Sequence, residues 1–196
     1  MSDLVNPMQA LIDQAALVKP KAKTVKQYAE RLDPKNGSGK TLLLLDISGS
    51  MGEQVGMTRK IDLLRRALDR SLQLNEVAIA FHSVAQVLPT LQLIPEPQGG
   101  TALHLAIAHG IGLNPGHTLV VSDGQPDDAK QALAEAKKLT GIINTLYIGR
   151  DDDYEAIEFM RKLARLGCGR SQTCDVRNPE NHARLEPSIK LLLGGS

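Results

Sequence analysis

The chain reads as an α/β protein: a doubly wound, mostly parallel central sheet with one antiparallel edge strand and helices on both faces, in a Rossmann-like arrangement. Three observations predict this. Leu42 to Leu45 form an unbroken apolar run closed by Asp46, as expected of a strand covered on both faces. Leu119-Val120-Val121 repeat that pattern and close in Ser122-Asp123-Gly124. Around these runs, stretches of helical spacing alternate with short strand-like stretches, the order that builds a layered sheet. A chain of 196 residues accommodates one such domain with a substantial core, whereas two would be cramped.

Taken in order, residues 4–32 carry apolar side chains at helical spacing (Leu4, Met8, Leu11, Ile12, Ala15) interrupted by Pro7 and Pro20. They predict one or two helices before the sheet. Asp33-Pro34-Lys35-Asn36-Gly37-Ser38-Gly39 is a turn-rich linker. The organisation is therefore an N-terminal helical extension and linker over 1–36 and a single domain over 37–196. Strand 41–46 comes first, then a helix over 58–74, in which Ile61, Leu64, Leu68 and Leu72 recur every three to four residues. Residues 76–82 and 84–93 predict a hairpin-like pair of strands. A helix over 101–112, a strand over 117–122 and a helix over 127–139 follow. The chain ends with a strand over 142–148, a helix over 153–166, a short edge strand over 171–176 and a helical tail over 179–193. In that tail Leu185, Ile189 and Leu192 share one face.

The end of the first strand is the most specific feature. Asp46-Ile47-Ser48-Gly49-Ser50 offers one carboxylate and two hydroxyls at alternate positions beyond a strand's carboxyl end, where open parallel sheets bind ligands. Gly49 and Gly52 let the loop turn tightly. Hard oxygen donors with little negative charge suit Mg²⁺, and the loop holds neither the Cys nor the His that zinc favours. Alone, the segment also reads as a Ser/Gly-rich turn with an incidental helix cap. Gly99-Gly100-Thr101 before a helical run, and Asp123 after the second apolar strand, supply the further oxygens that such an ion needs.

With those residues in place, the chain resembles a von Willebrand factor A domain carrying a metal-ion-dependent adhesion site, of a stand-alone bacterial or phage type. The resemblance covers roughly residues 38–195. By it, Asp46, Ser48 and Ser50 match the family's Asp-x-Ser-x-Ser motif, Thr101 its distant threonine and Asp123 its distant aspartate. It implies that these residues hold Mg²⁺, with Mn²⁺ or Ca²⁺ as alternatives. It further implies that a partner protein's Asp or Glu completes the coordination, across a rim of Gly49, Met51, Gly100 and Gly124. The implied role is an adaptor or assembly factor rather than an enzyme, in a cytoplasmic complex and in some relatives beside an AAA-type ATPase. The competing reading is a phosphohydrolase of the haloacid dehalogenase type, with Asp46 as nucleophile and Asp123, Asp127 and Asp128 as a second metal motif. That family places a second Asp two positions after the nucleophile, where this chain has Ser48.

Composition narrows the partners. A formal charge of +1 provides no field for nucleic acid or an anionic membrane. The aromatic residues Tyr28, Phe81, Tyr147, Tyr154 and Phe159 leave little for base stacking. No signal peptide and no apolar run near the ~20 residues of a membrane span are evident, so a cytoplasmic location is expected. Cys168 and Cys174 read as free thiols. Gly39-Lys40-Thr41 imitates the end of a phosphate-binding loop, but it precedes a strand instead of opening a helix. The histidines are scattered, and His82-Ser83 is placed to border the cleft. Asp151 to Asp153 suit a helix N-terminus. Lys60, Arg65, Arg66 and Arg70 are expected on a solvated helix face.

Overall fold

A computed structural model describes residues 40–71 and 76–194, so the expected N-terminal helices, the linker and Leu72 lie outside the described residues. Strand β1 (Thr41–Asp46) is central in a six-stranded sheet. The other sheet strands are β4 (Glu76–Phe81), β5 (Ala85–Leu88), β6 (His117–Ser122), β7 (Ile142–Tyr147) and β8 (Ser171–Thr173), in the order β5-β4-β1-β6-β7-β8. All neighbours pair in parallel except β4 with β5, which run antiparallel at the edge. The predicted α/β, mostly parallel sheet is therefore the fold.

Alternation along β1 explains why an unbroken apolar run is needed. Leu43 and Leu45 face one core with Ile61, Leu64 and Leu68 of helix α1 (Lys60–Asp69) and Leu185, Ile189 and Leu192 of helix α5 (His182–Leu192). Leu42 and Leu44 face the other, with residues of helices α2 (Leu103–Ile111), α3 (Ala129–Ala136) and α4 (Tyr154–Leu166). Successive side chains of a strand point to opposite faces, so a strand covered twice has no polar position to spare. Asn144, in β7, ties α5 to the sheet: its Nδ2 donates to the Leu192 carbonyl, and its Oδ1 accepts the Arg170 N–H at 2.7 Å.

Several boundaries differ from the sequence expectations, each for a local reason. The helix expected from 58 begins at Lys60, because Thr58–Arg59 (β3) pairs with Gln54–Val55 (β2) in a small antiparallel ladder. The strand expected over 84–93 ends at Leu88, since Pro89 has no N–H for the ladder, and Leu91–Leu93 form a 3₁₀ turn. Asp128 and Asp153 cap α3 and α4 by accepting the N–H groups of Gln131 and Ala156 at 2.8 and 3.1 Å, as expected of carboxylates at helix starts. Among the described residues no helix is long and apolar enough to cross a membrane.

Candidate metal centre

Strand order puts the two strand-end carboxylates side by side. β1 lies between β4 and β6, and the chain leaves it for one neighbour before returning to the other, which opens a crevice beyond the strands' carboxyl ends. Leu45 pairs with Val121, which sets Asp46 beside Ser122 and next to Asp123. Asp46 is fully buried. Its Oδ1 accepts the Ser48 N–H at 2.7 Å, and its Oδ2 accepts the Ser122 hydroxyl at 2.5 Å. Burial, and then the charge of Asp123, push the Asp46 carboxyl up to about 7 against the pull of those hydrogen bonds.

A continuous polar chain runs outward from there. Ser48 Oγ and Ser50 Oγ lie 3.0 Å apart, and Ser50 Oγ donates to Asp123 Oδ1 at 2.8 Å. The 3₁₀ turn Gly49–Gly52 brings the two hydroxyls onto one side. Asp123 Oδ2 accepts Lys60 Nζ at 2.7 Å, and the same ammonium donates to Glu53 Oε2 at 2.7 Å. Burial works against the Lys60 charge, yet Asp123 and Glu53 hold its pKa above the ordinary lysine value.

Thr101 reaches the site by a different route. Its loop is joined to the Asp46 loop by Gly49 N–H donating to Gly99 O at 3.1 Å and Gln98 N–H to Ile47 O at 2.9 Å. The Thr101 N–H donates to Asp127 Oδ2 at 2.9 Å, and the Asp127 N–H returns a bond to Thr101 O at 3.0 Å. A Cβ on Gly100 would stand 2.6 Å from Asp127 Oδ2, so a side chain there would displace that carboxylate from the Thr101 N–H. Gly99 adopts φ +66°, a backbone region that favours glycine, and the neighbouring Ser83 Oγ accepts the Gly100 N–H at 2.9 Å. His82-Ser83 thus borders this loop.

Of the five residues expected to hold an ion, Asp46, Ser48, Ser50 and Asp123 are joined through hydrogen bonds within this cluster, and Thr101 is brought alongside through backbone contacts. The donors are carboxylate and hydroxyl oxygens, which fit a hard divalent cation. Among the described residues, no group of three or more His, Cys, Asp or Glu side chains is placed to hold a metal, so hydroxyls would have to complete the set. A cavity of about 370 Å³ opens beside it, lined by Ser50, Glu53, Lys60, Asp123, Tyr147 and Arg177 among others.

Two expectations about exposure need correction. Met51 is fully buried in the core beneath α1, so its side chain cannot form part of a partner-facing rim; Gly49, Gly100 and Gly124 all retain exposure. Lys60 is 6 % exposed, not on a solvated face, because α1 starts against the loop that follows Asp46 and aims its first side chain inward onto Asp123. Asp127 and Asp128, considered as a second metal motif, are engaged instead with the Thr101 N–H and the cap of α3. Cys168 and Cys174 are free thiols.

The sequence reading did not single out Ser122, Glu53 or the role of Lys60. A signal for Lys60 does exist: a cation as the first residue of a helix opposes the helix dipole, a local conflict that asks for an anionic partner elsewhere. No protein-family model matches this chain, and no curated protein matches it.

Proposed function

We propose that this chain is a von Willebrand factor A-type binding module that recognises a partner's carboxylate through a divalent ion. The observation that carries the reading is the hydrogen-bonded set Asp46, Ser48, Ser50 and Asp123 at the ends of two adjacent central strands, with the Thr101 loop fastened to it. Ser48, Ser50 and Thr101 would hold the ion through their hydroxyls, with Asp46 and Asp123 contributing directly or through water. Bound there, Mg²⁺ or Mn²⁺ supplies a concentrated positive charge to an Asp or Glu of the partner. The chain's own residues do the rest. Asp46 is oriented by Ser48 and Ser122, the glycines let the loops approach closely, and the surrounding surface supplies area and selectivity. A cytoplasmic adaptor role beside an AAA-type ATPase is the setting we favour.

The phosphohydrolase reading is weaker on this geometry, since Asp127 and Asp128 are committed to backbone groups and Ser48 stands where a general acid would be. Calorimetry with Mg²⁺ and Mn²⁺ on the parent, Asp46→Ala and Thr101→Ala tests the proposal. Saturable binding to the parent, lost or strongly weakened in both variants, is the expected result. A parent that binds neither ion would refute it, and Asp46-dependent turnover of a generic phosphate ester would favour the enzyme.

A further inference from the structure

We infer that Lys60 is a tethered cation that competes with a divalent ion for Asp123 and so sets the affinity of the site. The inference rests on the metal-site reading above and goes beyond it, because it assigns a role to a residue outside the five expected ligands. Lys60 and Asp123 form an ion pair of 2.7 Å in which the two side chains are 7 % and 0 % exposed. On its outer side the same ammonium meets Glu53 at 2.7 Å, a side chain that is 65 % exposed. The Lys60 N–H also donates to Glu53 O at 3.1 Å, so the β2–β3 turn folds Glu53 back over the lysine. Nothing about helix formation asks for a cation at this position, the first of α1, where the helix's positive end disfavours one.

Asp123 is therefore a shared carboxylate. Its Oδ1 accepts the Ser50 hydroxyl, beyond which lies that of Ser48, and its Oδ2 accepts the ammonium. A divalent ion among those hydroxyls places a second positive charge against the same group, in a setting where water screens poorly. The ion must either share Asp123 with Lys60 or push the ammonium out toward Glu53. Both routes cost affinity, whereas without an ion Lys60 compensates Asp123. Lys60 thus acts as a positioning residue for Asp123 and lowers the occupancy of the site at a given ion concentration.

The test is Mg²⁺ calorimetry on the full chain for the parent, Lys60→Met, Lys60→Gln and Glu53→Gln, with melting curves in chelator and in Mg²⁺. Both Lys60 variants are expected to bind Mg²⁺ at least about tenfold more tightly, from removal of one nearby cation. Both are also expected to melt lower in chelator and to gain more from Mg²⁺ than the parent does. Glu53→Gln is expected to bind the ion more weakly, since it removes an anion and leaves Lys60 to Asp123 alone. A merely structural role would weaken binding in all three variants together. A folded Lys60 variant that binds Mg²⁺ no more tightly than a binding-competent parent overturns this inference and leaves the metal site standing. If no protein in the series binds the ion, the metal-site reading falls and this inference falls with it.

Discussion

Asp46 illustrates how much a single buried group depends on its donors. Ser122 supplies the hydroxyl on Oδ2, and Ser122→Ala strands that oxygen in a fully buried position. The expected loss of stability is about 1–3 kcal/mol, read from urea unfolding, because a buried acceptor is left without its partner. Asp175 presents the opposite balance. The Arg177 guanidinium, 2.5 Å away, holds its carboxyl down to about 2 against the effect of burial. A pKa depressed on folding means that the pair's contribution is present above the ordinary Asp range and is lost as pH falls through about 2. Carboxyl NMR titration is expected to find Asp175 with that low midpoint, and Arg177→Gln should return it toward the ordinary value. An unchanged midpoint in the variant would show that Arg177 is not the cause. Neither effect is visible in composition, since both depend on which side chains meet.

At the scale of elements, the Asp127 carboxylate, from the start of α3, is one of several groups that hold the loop carrying Thr101. Gly100→Ala puts a methyl group 2.6 Å from Asp127 Oδ2, so Asp127 must leave the Thr101 N–H or the loop must shift. Gly100→Ala and Asp127→Ala should each destabilise the protein by about 1–2 kcal/mol, and the double variant by less than their sum, since the two share one contact. Additive losses in that cycle would contradict the arrangement. The central strand is the other critical element. Leu44→Ala empties a fully buried site against the α2–α4 side of the sheet and is expected to cost about 2–5 kcal/mol by chemical denaturation. Helix positions were legible from the recurrence of Leu and Ile. Their first residues were less so, because Thr58 and Arg59 satisfy a short ladder instead of a helical turn.

For the whole molecule, the proposed site couples ion binding to folding, because its residues come from β1, its following turn, the loop before α2 and the end of β6. An ion at one hundred times its dissociation constant should raise stability by about 2.7 kcal/mol, and Asp46→Ala should abolish that gain in a melting experiment. The fold class followed from the sequence alone: two apolar runs ending in carboxylates, spaced by helical segments, admit few arrangements other than a doubly wound sheet. The candidate ligands came from the Asp46-to-Ser50 stretch, the glycine pair before Thr101 and the strand-end Asp123, read together with the family resemblance that they carry. What the tertiary structure alone decided is how those groups are compensated. Lys60 turns inward onto Asp123, Ser122 donates to Asp46, Met51 sinks into the core and Asp127 serves the Thr101 backbone. Strand order and long-range packing set those outcomes, and of them only Lys60 leaves a local trace, as a cation at the first position of a helix.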